Sequence, residues 1–146
     1  MIRNLLILLV ATAPTFAQGY DWRDTLDAIR QVETGGCANE GRGAKGDNGN
    51  ALGPYQIWRI YHTDAAERDR ALTDYQRCLN DKAYSERVVR AYMLRYCREQ
   101  MRRLDAGTAT LADVERVARV HNGGPRGHTK KATLAYFAKV RKALTL

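Results

Sequence analysis

The sequence predicts a single α+β domain that is mostly helical and carries one small β-hairpin. The chain has 146 residues and 45% apolar content, which is typical of one folded domain and excludes disordered and collagen-like chains. Apolar residues recur at helical spacing through most of the chain, and one short segment is rich in Gly and Asn. No internal repeat or low-complexity linker divides the domain.

The first helix is predicted to begin after Asp21, whose side chain is a favourable N-cap. Thr34-Gly35-Gly36 ends it, because glycine is a poor helix former. The turn sequence Asp47-Asn48-Gly49-Asn50 follows and is a strong signal for a hairpin. The apolar positions of the helix are Trp22, Leu26, Ile29 and Val32.

Four more helices are predicted after the hairpin. A short charged helix covers 64–72, and a long amphipathic one covers 82–104. The third of these helices begins at a capping box, Thr110 to Asp113, and ends at the segment 121–125 (HNGGP). The last covers 130–144, with these side chains directed inward: Leu134, Phe137, Val140 and Leu144.

Residues 1–17 are predicted to be a secretory signal peptide. Arg3 precedes an apolar run from Leu5 to Val10, and small residues up to Ala17 suit cleavage. The apolar run is much shorter than the roughly 20 residues of a membrane-spanning helix, so we expect no membrane span. Residues 18–146 would then form the mature domain, which is either extracellular or, in a bacterium, periplasmic.

The basic charge predicts an anionic partner. The formal charge is +8, and loss of the leader with Arg3 and no acid leaves +7. Nucleic acid, membrane headgroups and an acidic bacterial wall all attract such a protein. Export argues against nucleic acid and favours the wall.

Three cysteines, Cys37, Cys78 and Cys97, leave two alternatives open. In an oxidising compartment one disulfide forms, and Cys37 is then a member of it, because one long helix would separate Cys97 from Cys78. Alternatively all three are buried free thiols. Their spacing does not match a metal site, and we expect no metal or other cofactor.

Two carboxylates are candidates for glycosidic chemistry. Glu33 ends the first helix, and a hairpin folded beside that helix would place Asp47 across a cleft from it. Such a pair can cleave a glycosidic bond, with one group donating a proton and the other attacking or stabilising the anomeric carbon. The predicted surroundings suit this division, since Glu33 follows an apolar helix face and Asp47 lies in a polar loop.

Five motifs together resemble the invertebrate-type lysozymes, also called the destabilase family. The resemblance extends from about Leu26 to Val140, and the HNGGP segment followed by Arg126-Gly127 is its most specific part. The motifs are VETGGC at 32–37, KGDNG at 45–49, GPYQI at 53–57, YMLRY at 92–96 and ARVHNGGPRG at 118–127.

The resemblance implies a lysozyme-like fold and a secreted, monomeric muramidase that hydrolyses the β-1,4 bond between N-acetylmuramic acid and N-acetylglucosamine in peptidoglycan. It makes Glu33 the proton donor and Asp47 the nucleophile of a retaining reaction. It also implies that two segments bind substrate, a strand beside the hairpin and a loop opposite. Their residues are Tyr55, Gln56 and Ile57, and His121, Asn122, Gly123 and Gly124.

The chain departs from the family pattern in two ways. Leu52 and His128 stand where typical members have cysteines. Some members also cleave isopeptide bonds with hairpin serines, but the matching segment 47–52 has no serine, so we expect no isopeptidase activity. Two other functions remain alternatives: a lytic transglycosylase that uses Glu33 alone, and a non-catalytic protein that binds the cell wall.

Overall fold

The computed structural model describes residues 19–144, so the predicted signal peptide lies outside the described residues. Within these residues, six α-helices pack with one small antiparallel sheet, whose three strands pair in chain order. No helix within 19–144 is long and apolar enough to cross a membrane. The elements are α1 (Trp22–Thr34), β1 (Lys45–Gly46), β2 (Ala51–Leu52), β3 (Ile57–Trp58), α2 (Arg59–Arg68), α3 (Lys82–Tyr96), α4 (Arg98–Asp105), α5 (Leu111–Gly123) and α6 (Leu134–Ala143).

Helix α1 forms as predicted and is anchored at both ends. The Asp21 side chain accepts a hydrogen bond from the Asp24 amide at 2.8 Å, which satisfies one of the free N–H groups of the first turn. Leu26 and Ile29 are fully buried. At the other end, Thr34 donates a hydrogen bond to the Pro54 carbonyl at 2.8 Å and so holds the end of α1 against the turn between β2 and β3.

The predicted hairpin is present as the first two strands of the sheet. Lys45 pairs with Leu52, and Leu52 pairs in turn with Ile57 of a third strand. A four-residue loop, Asp47 to Asn50, joins β1 and β2 and is closed by the Asn50 amide donating to the Asp47 carbonyl at 3.1 Å. Because Leu52 and Ile57 face the core, this end of the sheet is fixed to the helices.

Three of the predicted helices have different bounds in the structure. Helix α2 covers Arg59–Arg68 instead of 64–72, and its apolar side chains follow no clear helical stripe from which its bounds could be predicted. The long helix predicted over 82–104 is broken at Cys97, whose backbone leaves the helical region (φ −134°, ψ 38°). Helix α6 begins only at Leu134, which is 46% exposed and does not face inward as expected.

The core is formed where the helices enclose α5. Val114, Val117 and Ala118 of α5 are fully buried, as are Met93 of α3 and Met101 of α4. The break at Cys97 allows α3 and α4 to direct separate apolar faces into this one core.

Of the two alternatives for the cysteines, the structure shows the one without a disulfide. All three cysteines are free thiols, with Cys78 and Cys97 buried and Cys37 exposed. The prediction of free, buried thiols is therefore confirmed for Cys78 and Cys97, whereas Cys37 is free but exposed. Burial raises the pKa of the Cys78 thiol to about 12 and that of Cys97 to about 11, so both remain neutral and pack as small apolar side chains.

The ion pair between Arg103 and Asp113 makes folding stability dependent on pH. Arg103 donates hydrogen bonds to both carboxylate oxygens, at 2.5 and 3.0 Å, and lowers the pKa of Asp113 from 3.8 to about 2. A lowered folded-state pKa gives a stabilisation that is complete above about pH 4 and is lost as the pH falls through 2. We expect Asp113→Asn to cost about 2 kcal/mol at pH 7 and progressively less below pH 4, in urea unfolding.

The matched control is Asp105→Asn, which breaks an exposed ion pair with Arg90. Both partners there are about 40% exposed, at 39% and 40%, so the loss should be small at every pH. An equal and pH-independent loss in the two variants would contradict this assignment.

Candidate active site

Glu33 lies in the last turn of α1 with its side chain only 18% exposed. Its Oε1 accepts a hydrogen bond from the Tyr136 hydroxyl of α6 at 2.7 Å. Nε2 of His121, from α5, lies 3.4 Å from the same oxygen. Three helices therefore meet at this carboxyl group.

His121 is held in place by aromatic side chains. Its Nδ1 lies 3.1 Å from the Tyr61 hydroxyl of α2, and the His121 side chain is 3% exposed. The Tyr61 ring stacks on Tyr92 of α3 with centroids 3.6 Å apart. This packing leaves the imidazole little freedom to rotate away from Glu33.

Asp47 comes from the sheet and has different surroundings. It is exposed, at the first position of the loop between β1 and β2. Three non-glycine residues in the turns of this small sheet adopt the left-handed backbone conformation, in which φ is positive: Asp47 (φ 49°), Asn48 (φ 55°) and Gln56 (φ 47°). Such backbone is costly for ordinary residues and tends to occur at functional sites.

The two carboxylates line one cleft of about 270 Å³. The helices and the sheet each contribute to its wall, and Trp58 and Asn122 extend the cleft into an adjoining, more apolar pocket of about 330 Å³. The cleft is lined by Glu33, Tyr61, His121 and Asn122 from the helices and by Asp47, Ala51, Gln56 and Trp58 from the sheet and its turn.

The structure brings most of the predicted site residues to this cleft, but two remain in the core. Tyr55 and Ile57 are 0% and 1% exposed, and the Tyr55 hydroxyl donates to Glu86 at 3.1 Å, so neither side chain faces the cleft. Gln56, between them, does line it.

The segment predicted as a glycine-rich loop is the end of helix α5. His121 and Asn122 lie within the helix, which continues to Gly123. Gly124 caps it with φ 81°, a conformation that glycine adopts without strain, and lines the adjoining pocket. Gly123 packs against Thr133, where a larger side chain would collide.

Three residues of the site were missed from the sequence. Trp58 is 44% exposed at the junction of the cleft and the adjoining pocket, and it follows the GPYQI motif directly. The Tyr61 hydroxyl contacts His121, and the Tyr136 hydroxyl donates a hydrogen bond to Glu33. No local pattern identifies Tyr136, because 103 residues separate it from its partner.

Comparisons with known proteins agree with this geometry. The destabilase family model matches residues 23–143. A lysozyme of Magallana gigas is 31% identical over 140 residues, spanning 93% of this chain and 90% of the relative. An invertebrate-type lysozyme of Ruditapes philippinarum is also 31% identical, over 87% of this chain and 85% of the relative.

The crystal structure of Tapes japonica lysozyme has the same fold. It superimposes with a TM-score of 0.63 at 31% sequence identity and covers 87% of this chain and 94% of its own. The expected α+β lysozyme-like fold is thereby confirmed. The chain belongs to the destabilase family of invertebrate-type lysozymes, which are glycoside hydrolases.

Proposed function

We propose that the protein is a secreted muramidase that hydrolyses the β-1,4 bond between N-acetylmuramic acid and N-acetylglucosamine in bacterial peptidoglycan. Glu33 is the general acid, and Asp47 is the nucleophile. The observation that carries this proposal is one cleft lined by two carboxylates in unlike environments.

The unlike environments suit the two roles. Glu33 is largely enclosed at the end of α1, and the Tyr136 hydroxyl fixes one of its oxygens, as a positioned general acid requires. Asp47 is exposed in the hairpin loop and lines the same cleft, where its carboxylate can reach an anomeric carbon. Pairs of carboxyl groups divided in this way perform acid and nucleophile chemistry in glycosidases.

The reaction follows from these positions. Glu33 protonates the glycosidic oxygen as its bond to the anomeric carbon breaks, and Asp47 attacks that carbon to form a glycosyl-enzyme intermediate. Glu33, now ionised, removes a proton from the water that hydrolyses the intermediate. Two inversions give overall retention of configuration.

The adjoining pocket extends the binding surface along a polymer. Trp58 offers an exposed ring face, and Asp64 and Asn122 offer polar groups at the same pocket. Aromatic faces combined with amide and carboxylate groups suit sugar rings, so the glycan continues from the cleft over Trp58. The net charge of the secreted chain, +7 after the leader with Arg3 is removed from a total of +8, favours encounter with an anionic wall.

Product analysis tests the proposal. Purified peptidoglycan is digested with wild type, Glu33→Gln and Asp47→Asn, and the ends of the released fragments are identified by mass spectrometry. Wild type should release fragments with reducing muramic acid ends, and each substitution should remove them, because both groups take part in the reaction.

The two alternatives give different products. Anhydro-muramic ends that persist in Asp47→Asn would identify a lytic transglycosylase and contradict a nucleophilic Asp47. A wild-type protein that binds peptidoglycan but releases nothing would be a wall-binding protein without activity. Glu99→Gln, an exposed substitution on α4, is the matched control and should behave as wild type.

A further inference from the structure

The two carboxyl oxygens of Glu33 have unequal surroundings. Oε1 accepts the hydrogen bond from Tyr136 at 2.7 Å and lies 3.4 Å from Nε2 of His121. Within residues 19–144, no hydrogen bond or ion pair involves Oε2. Oε1 therefore has a hydrogen-bond donor, and Oε2 has none among these residues.

Tyr136 is suited to remain a donor. Burial and the negative charge of Glu33 raise the pKa of Tyr136 well above its usual value, so its hydroxyl keeps its hydrogen over the working pH range. His121 supports the same arrangement, because a carboxylate oxygen beside Nε2 favours the tautomer with the hydrogen on Nε2. Nδ1 then accepts from the Tyr61 hydroxyl.

We infer that Tyr136 is a positioning residue for the general acid: its hydroxyl keeps Oε1 of Glu33 as a hydrogen-bond acceptor, so that the transferable proton is carried by Oε2. This inference rests on the proposed role of Glu33. Tyr136 is not among the residues that line the cleft, so it acts through Glu33 and not on the sugar. A carboxyl group accepts at Oε1 whether or not Oε2 is protonated, so the contact lasts through the reaction.

The hydrogen bond also strengthens as the reaction proceeds. When Oε2 gives its proton to the leaving oxygen, the O–H bond of the acid breaks and the carboxyl group becomes an anion. Hydrogen bonds to a charged acceptor are stronger than those to a neutral one, so the Tyr136 hydroxyl stabilises the product of proton transfer. The titratable groups that face Glu33 are Tyr136 of α6, His121 of α5, Tyr61 of α2 and Asp47 of the hairpin.

Tyr136→Phe tests the role, since it removes the hydroxyl and keeps the ring. We expect kcat to fall roughly ten- to a hundredfold, the range that corresponds to losing a hydrogen bond to a charged group. KM should stay within about twofold, because the sugar contacts are intact.

Tyr84→Phe is the matched control. The Tyr84 hydroxyl also bonds buried groups, His62 Nε2 at 2.8 Å and the Asp74 amide at 3.1 Å, but it does not contact Glu33. It should lower the melting temperature without changing kcat. A similar loss of kcat in Tyr84→Phe would overturn the inference, as would an unchanged kcat or a loss confined to KM in Tyr136→Phe.

The outcome for Glu33→Gln separates this inference from the proposed function. If Glu33→Gln keeps its activity, the general-acid assignment fails. If Glu33→Gln is inactive and Tyr136→Phe behaves as wild type, only the positioning role fails.

Discussion

Glu33→Gln is expected to reduce kcat by about a thousandfold on a soluble chitooligosaccharide, within the range for loss of a positioned general acid. Glutamine has nearly the same shape, and its carbonyl oxygen can still accept the hydrogen bond from Tyr136. What is lost is the transferable proton. Because the cleft lining is otherwise unchanged, KM should change little, and initial-rate kinetics measure both constants.

Circular dichroism provides the control for folding. The melting temperature of Glu33→Gln should match that of wild type, since Glu33 is a partly exposed residue whose contacts are largely kept. Activity within tenfold of wild type in a correctly folded variant would exclude Glu33 as the general acid.

Gly53→Ala is expected to have the largest effect on stability. Gly53 has φ 69°, and an added Cβ would overlap the backbone carbonyl oxygen of Cys78. Its amide also donates to the Ala44 carbonyl at 2.8 Å, so the backbone cannot shift without losing this bond. The strained conformation and the steric overlap together should cost about 3 kcal/mol, measured by urea unfolding.

The variant Gly107→Ala separates the cost of the strained backbone conformation from the cost of the steric overlap. Gly107 has nearly the same φ, 66°, but no atom lies within 4 Å of where its Cβ would be. We expect a loss of about 1 kcal/mol there, from the conformation alone. Equal losses in the two variants would mean that the approach to Cys78 has no energetic importance.

The sequence predicts the fold best where local chemistry decides it. Asp21 and the capping box at Thr110 and Asp113 mark true helix starts, because capping depends only on near neighbours. The break at Cys97 was not predictable in this way, since apolar positions continue at helical spacing through it and only packing against α5 separates the two faces.

The sequence also predicted part of the candidate active site. Motifs led to Glu33, Asp47, Gln56 and His121, which line one cleft. They did not reveal which side of the sheet each side chain faces, and so Tyr55 and Ile57 were assigned to binding although the core encloses them. A strand of two residues is too short for alternation of polar and apolar side chains to show which of them face the core.

The three free thiols mean that this fold is held by non-covalent packing. Cys78 and Cys97 contribute as buried apolar side chains, and no bridge constrains the unfolded chain. The exposed Cys37, next to the helix end that carries Glu33, is the thiol that can react with an oxidant or a second molecule without unfolding the domain.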